Sequence, residues 1–148
     1  MASNHTAAII ESRIVPSIIV PDVDAAVRFC REAFDAQIVV QGRLADGTTS
    51  HAHLRLGDSL LVISKAESTD QEVEEDPPLA LRNTSAAMEL LVEDLDTALK
   101  RALDAGGKVC LTSSTDHCIG EKVLAITDTV GQTWLLSTFI NDGGALCI

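Results

Sequence analysis

The strongest constraint on this chain is that it repeats itself. Val20-Pro21-Asp22-Val23-Asp24-Ala25-Ala26-Val27-Arg28 returns as Val92-Glu93-Asp94-Leu95-Asp96-Thr97-Ala98-Leu99-Lys100, every position displaced by the same 72 residues (Val20 to Val92). An apolar run of strand length precedes each copy, at residues 14–20 and 87–92. The repeated segment reads as a helix start. Asp22 and Asp94 are placed to accept the orphan N–H groups of a first turn, and Asp24 and Asp96 add negative charge there. Apolar residues then recur at helical spacing: Val23, Ala26, Val27, Cys30, Ala33 and Phe34 in the first copy, Leu95, Ala98, Leu99 and Ala102 in the second. Gly106-Gly107 predicts a left-handed cap on the second helix.

Beyond the helices the copies slip by one residue, and strands are expected at 37–40 and 108–111. Each half then carries two more strands around a tight turn. In the first, 51–56 and 59–64 flank Gly57-Asp58; in the second, 122–127 and 132–139 flank residues 128–131. The expected class is therefore α+β, with two β-α-β-β-β modules. Module one spans about 14–66 and module two about 84–140, within one domain over residues 1–148. The Glu-, Asp- and Pro-rich stretch 67–83 reads as a linker.

Charge and composition exclude several functions. A net charge of −11 argues against nucleic acid and anionic membrane surfaces, which need a basic face. It favours solubility and, weakly, a cationic ligand. Residues 1–14 lack the pattern of a secretory leader, and no run of 18 apolar residues exists to span a bilayer. Cys30, Cys110, Cys118 and Cys147 form no close pair, so free thiols and a cytoplasmic location are expected. There is no phosphate-binding glycine loop, nucleophile elbow or dinucleotide fingerprint. No cofactor is expected.

The repeated unit resembles the vicinal oxygen chelate superfamily, the glyoxalase and bleomycin-resistance group, over about residues 14–139. The resemblance is carried by Ile18-Ile19-Val20-Pro21-Asp22-Val23-Asp24 leading into Phe29, by His51-Ala52-His53-Leu54-Arg55-Leu56-Gly57-Asp58-Ser59, and by Val92-Glu93-Asp94-Leu95-Asp96. Its last carrier is Asp128-Thr129-Val130-Gly131-Gln132-Thr133-Trp134, similar to the family's D-P-x-G-x-x-W turn with Thr129 and Val130 in place of two usual residues. The resemblance implies that the modules form a curled mixed sheet, a cup with helices on its convex face and a ligand cavity on the concave one. It also implies a homodimer and, in many members, a divalent metal acting as a Lewis acid.

The four positions that supply metal ligands in the family align with Val15, Ser64, Ala87 and Leu135. None offers imidazole, carboxylate or thiolate, and their sequence neighbours are no better, so no metal is expected there. By the same alignment and strand alternation, Val15, Ser17, Ile19, Leu60, Val62, Ser64, Ala87, Glu89, Leu91, Thr133, Leu135 and Ser137 face the cup. Met88, Leu90, Val92, Trp134 and Leu136 face the helices, with Trp134 in the core. Ser17, Val62, Ser64, Ala87, Leu91, Thr133, Leu135, Ser137 and His117 are the expected ligand contacts. Glu89, a carboxylate beside aliphatic groups, should have a raised pKa that suits acid or base work. His51 and His53 alternate on one strand with Arg55 and share its face, so either imidazole is a candidate acid or base.

Two functions compete. The favoured one is a metal-independent enzyme acting on a small, largely apolar molecule by isomerisation, cyclisation or lyase chemistry, with Glu89, His53 and His51 moving protons. The alternative is a non-catalytic protein that sequesters a drug or toxin, as bleomycin-resistance relatives do. A third reading relocates a metal to His51, His53, Asp116, His117 and Glu121. His117 beside Cys118 reads as a polar loop rather than a catalytic pair.

Overall fold

The computed structural model describes residues 14–66, 88–113 and 123–138. The elements are β1 (Ser17–Val20), α1 (Val23–Phe34), β2 (Gln37–Arg43), β3 (Thr49–Leu56), β4 (Ser59–Lys65), β5 (Met88–Val92), α2 (Leu95–Asp104), β6 (Lys108–Ser113), β7 (Val123–Thr127) and β8 (Thr133–Thr138). The chain divides into two compact units, residues 1–66 and 67–148. Among the described residues, each holds a four-stranded mixed sheet and one helix. The strand orders are β1-β4-β3-β2 and β5-β8-β7-β6. In both, the first strand runs parallel to the last and the other pairs are antiparallel. This is the α+β pair of β-α-β-β-β modules that the repeat predicts. The stretch 67–83 lies outside the described residues.

The repeated aspartates start both helices. The Asp22 carboxylate accepts from the Ala25 N–H at 3.0 Å, and that of Asp94 from the Asp96 N–H at 3.3 Å and from the Thr97 hydroxyl. The helices end differently. Gly106, at φ 98°, closes α2, with its N–H and that of Gly107 returned to the carbonyls of Leu103 and Ala102. Asp35 does the same work after α1 at φ 57°, a conformation that Asp tolerates better than most side chains.

The first unit buries six residues of α1: Val23, Ala26, Val27, Phe29, Cys30 and Ala33. They pack on β3 and β4, whose Ala52, Leu54, Leu61 and Ile63 are sealed from solvent. The stripe departs from the expected one in that Phe29 is fully buried and Phe34 only half-buried, its ring edge-on to Phe29 at 5.5 Å. Each fully buried Leu, Ile or Phe contributes roughly 1.5–3 kcal/mol relative to exposure. Asp24 ties the helix to the sheet. Its carboxylate accepts from the buried Thr49 hydroxyl at 2.5 Å, and this bond holds its pKa below the ordinary value.

The second unit has a narrower core. From α2 only Ala98 and Ala102 are buried. Trp134, Ile126 and Leu136 form its centre, with Trp134 in register between Met88 and Ile126. The turn before β8 explains the sequence that carries the family resemblance. One oxygen of the buried Asp128 carboxylate accepts from the N–H groups of Val130 and Gln132, and the other accepts from the Trp134 indole at 3.1 Å. Aspartate and tryptophan six residues apart therefore fold the turn and anchor the core together.

Several strand limits differ from expectation. β1 begins at Ser17 rather than 14, since Pro16 has no N–H to offer, although its carbonyl accepts from Val62. β2 continues to Arg43 and β3 starts at Thr49, because the two strands stay paired across a bulge. The first strand of each following hairpin also bulges at one equivalent place, leaving Val39 and Cys110 as the unpaired extra residues.

Candidate functional site

Each helix covers one face of its own sheet, and strand alternation sends the remaining side chains to the other. On the first sheet, register fixes the rows of that helix-free face, the one on which no helix among the described residues packs. Ile19, Ser64, His51 and Gly42 lie side by side across β1, β4, β3 and β2. Ser17, Val62, His53 and Val40 form the next row, and Leu60, Arg55 and Gln37 the third. The structure thus gathers the sequence-predicted Ser17, Val62, Ser64, His51 and His53 on one surface. Both imidazoles and Arg55 are half-buried, while Ile19 is 72% exposed. The two rings meet edge-on with centroids 5.9 Å apart.

His51 is held from two sides. It pairs with Gly42, and Thr49 pairs with Arg43, so Ser50 is the extra residue of a bulge in β3. Bulges re-aim side chains, and here the Ser50 hydroxyl lies 3.0 Å from His51 Nδ1. This leaves Nε2 as the nitrogen available to a ligand. Across the ladder, a Cβ on Gly42 would stand 2.3 Å from His51 Cε1. The ring occupies space that any other residue at 42 would claim. Sequence reasoning missed both supports. A glycine inside a strand pattern was the available signal for close approach; the bulge had none within β3 itself.

On the second sheet the helix-free face carries Glu89, Leu135 and Ala125 in one row, Leu91 and Ser137 in the next, and Thr133 beside Thr127. The Ser137 hydroxyl, fully buried, donates to Glu89 Oε1 at 2.8 Å. Aliphatic neighbours flank Glu89 as expected, but the burial that the sequence argument required is not found: Glu89 is exposed, as is Thr133, and Leu91 is 48% exposed. Trp134 lies in the core on the helix side. Cys110, the bulged residue, contacts the Thr127 hydroxyl, and Cys30 is buried on the sheet side of α1. Ala87, Asp116, His117, Cys118 and Glu121 lie outside the described residues.

An open groove of about 1110 Å³ runs between α1 and the edge strand β2. Charged side chains dominate it, among them Asp24, Arg28, Arg31 and Arg43, and none of the predicted site residues lines it. Its lining includes no imidazole, hydroxyl or thiol.

The family-type metal positions do not fit a divalent ion. Val15, Ser64 and Leu135 provide no imidazole, carboxylate or thiolate. Among the described residues, no three His, Cys, Asp or Glu side chains come together.

The sequence model of the Glyoxalase/Bleomycin resistance protein/Dioxygenase superfamily matches residues 3–136. The chain belongs to this superfamily. An uncharacterized protein of Mycobacterium bovis is 30% identical over 129 residues, covering 86% of this chain and 83% of its own length. Among solved structures, a glyoxylase/bleomycin resistance protein/dioxygenase domain from Frankia superposes with a TM-score of 0.64 at 20% identity, covering 89% of this chain and 93% of that one. The fosfomycin resistance protein FosX of Mesorhizobium loti gives 0.61 at 15%, covering 88% and 94%. At these identities the superfamily structures share the fold. No helix among the described residues is long and apolar enough to cross a membrane.

Proposed function

We propose that the protein is a superfamily enzyme that transforms a small, largely apolar molecule by proton transfer, without a metal at the family's chelating positions. The observation that carries this reading is the surface of the first sheet. Two imidazoles stand there beside Ser17, Ser64 and Val62, and one of them, His51, is oriented by Ser50 and Gly42. An imidazole held in one orientation is what general acid–base catalysis requires, and such a group contributes roughly 10²–10⁴-fold to a rate. His51 is assigned proton transfer, and His53, edge-on to it, is either its partner or the ligand's hydrogen-bond donor. Glu89, oriented by Ser137, is the corresponding group of the second sheet and is tested on its own.

A second reading, sequestration of a toxic compound, draws support from exposed aliphatic side chains, Ile19 on the first sheet and Leu91 on the second, since apolar contact needs no chemistry. The family name and the FosX neighbour both point to resistance. The test incubates the protein with a panel of drug-like and metabolite-like small molecules, fosfomycin among them, and assays bound and converted material by mass spectrometry. Conversion that falls about 100-fold or more in His51→Ala or Glu89→Gln, with binding retained, supports catalysis. A compound bound tightly and recovered unchanged makes the protein a sequestering one.

A further inference from the structure

The charges of the first unit are segregated. Its described carboxylates are Asp22, Asp24, Glu32, Asp35, Asp46 and Asp58. The first four belong to α1 and its caps, and the last two to the turns on either side of β3. None stands on a strand. Asp46 is engaged within its own loop, its carboxylate accepting from the N–H and hydroxyl of Thr48. Of the basic residues on strands, Arg43 lines the groove against α1, and Lys65 pairs with the buried Val20 on the α1 side. The helix-free face has the opposite character. It carries Arg55, His53 and His51 at alternate positions of β3, with the hydroxyls of Ser64 on β4 and Ser17 on β1 and, among the described residues, no carboxylate. In a chain of net charge −11, the described residues of this sheet face include no negative side chain.

We infer that the ligand of this face is an anion: a small apolar molecule bearing one carboxylate. Alternate residues of a strand stand roughly 6.6 Å apart, near enough for one carboxylate to meet neighbouring side chains from both. The guanidinium fork of Arg55 matches the two carboxylate oxygens, and an imidazole N–H of His53 donates in either protonation state. The apolar body lies on Ile19, Val62 and Val40, of which Ile19 and Val40 are exposed. Net charge alone pointed weakly to a cation. Solution charges beyond about 8 Å are screened, so the local set decides. The inference rests on this face being the ligand site proposed above, and it names what that site takes.

The experiment compares hydrocinnamate with its uncharged isostere hydrocinnamamide. Both are titrated into the full chain to their solubility limits while the imidazole NMR signals of His51 and His53 are followed. The acid should shift both signals saturably and bind about tenfold tighter than the amide, the difference expected of one charge-assisted pair. Arg55→Gln should bring the acid down to the level of the amide. Arg55→Lys, which keeps the charge, should recover part of the preference, and Arg31→Gln, on α1, should leave it intact. Equal binding of acid and amide, a preference that survives Arg55→Gln in folded protein, or no saturable shift from either probe would overturn the inference. Turnover is read separately. An acid preference without conversion of any compound supports the anion site and removes the catalytic reading. Conversion of an uncharged compound at this face, with no acid preference, does the reverse.

Discussion

The two units grew from one repeated sequence, yet they hold themselves together differently. The first spreads its core over Phe29, Leu54, Leu61, Ile63 and the buried side of α1, and adds the Asp24–Thr49 bond between helix and sheet. The second takes only two alanines from its helix and concentrates its core on Trp134, whose indole N–H is tied to the buried Asp128. The helix-free faces diverge as well, with imidazoles and a guanidinium on one and a carboxylate on the other. A repeat therefore conserves the order and pairing of elements more strictly than it conserves where stability resides or which chemistry is displayed.

If that contrast is right, the most damaging core truncation is Trp134→Ala. It removes the largest buried side chain of the second unit and deprives one oxygen of Asp128 of its partner. We expect a loss of about 4–5 kcal/mol, a large part of the roughly 5–15 kcal/mol that holds a domain folded. Leu54→Ala in the first unit should cost about 2–4 kcal/mol, because neighbouring aliphatic groups share the load. Urea unfolding followed by far-UV circular dichroism measures both, since Trp134 is the chain's one tryptophan and its replacement removes the fluorescence signal. A Leu54→Ala cost equal to or above that of Trp134→Ala would show that the second core is not the concentrated one.

A middle-sized effect sharpens the contrast at the helix starts. Thr49→Val keeps the shape of a buried residue and deletes its hydroxyl bond to Asp24. The expected loss near pH 7 is about 1 kcal/mol, at the low end for a bond to a charged group because Asp24 is open to solvent. Asp24 has its folded pKa lowered, first by this bond. Its contribution is therefore present above the unfolded-state pKa and disappears as pH falls through the lower folded value. The gap between wild type and Thr49→Val should narrow in that acid window. A gap that is constant with pH would mean that the carboxylate's charge is irrelevant to the bond.

What was legible in the sequence follows the same physical lines. Helix starts were legible because Asp22 and Asp94 cap by local geometry, and the sharing of a face by His51, His53 and Arg55 was legible because strand alternation has period two. The aspartate-to-tryptophan turn could be recognised but not explained until Asp128 was seen bonded to Trp134. The bulges at Val39, Ser50 and Cys110 were hidden, because a bulge is set by how two strands pair and neither strand encodes it alone. The exposure of Glu89 was hidden for a related reason: alternation assigns a face, whereas burial depends on what covers that face. The support of His51 by Ser50 and Gly42 combines both difficulties, since it needs a bulge and a cross-strand neighbour at once.

The smallest expected effect, that of Asp35→Gly, lies at a helix end, where the two units solve one problem with different residues. Both units turn left-handed on leaving the helix, at Asp35 with φ 57° and at Gly106 with φ 98°. Glycine enters this region without a steric penalty, and a carboxylate at a helix C-terminus faces the negative end of the dipole. Asp35→Gly should therefore stabilise the protein by about 0.5–1 kcal/mol. Gly106→Ala should do the opposite by about 1 kcal/mol or more, because the new Cβ adopts a disfavoured φ and would lie 3.0 Å from Thr129 Cγ2. The double variant tests whether the units respond independently. Changes at separated sites with no shared partners add to within about 0.5 kcal/mol, so additive effects would mean that each helix end is a local matter of its own unit. A clear departure from additivity would mean that the two helix ends, different as their residues are, are energetically coupled.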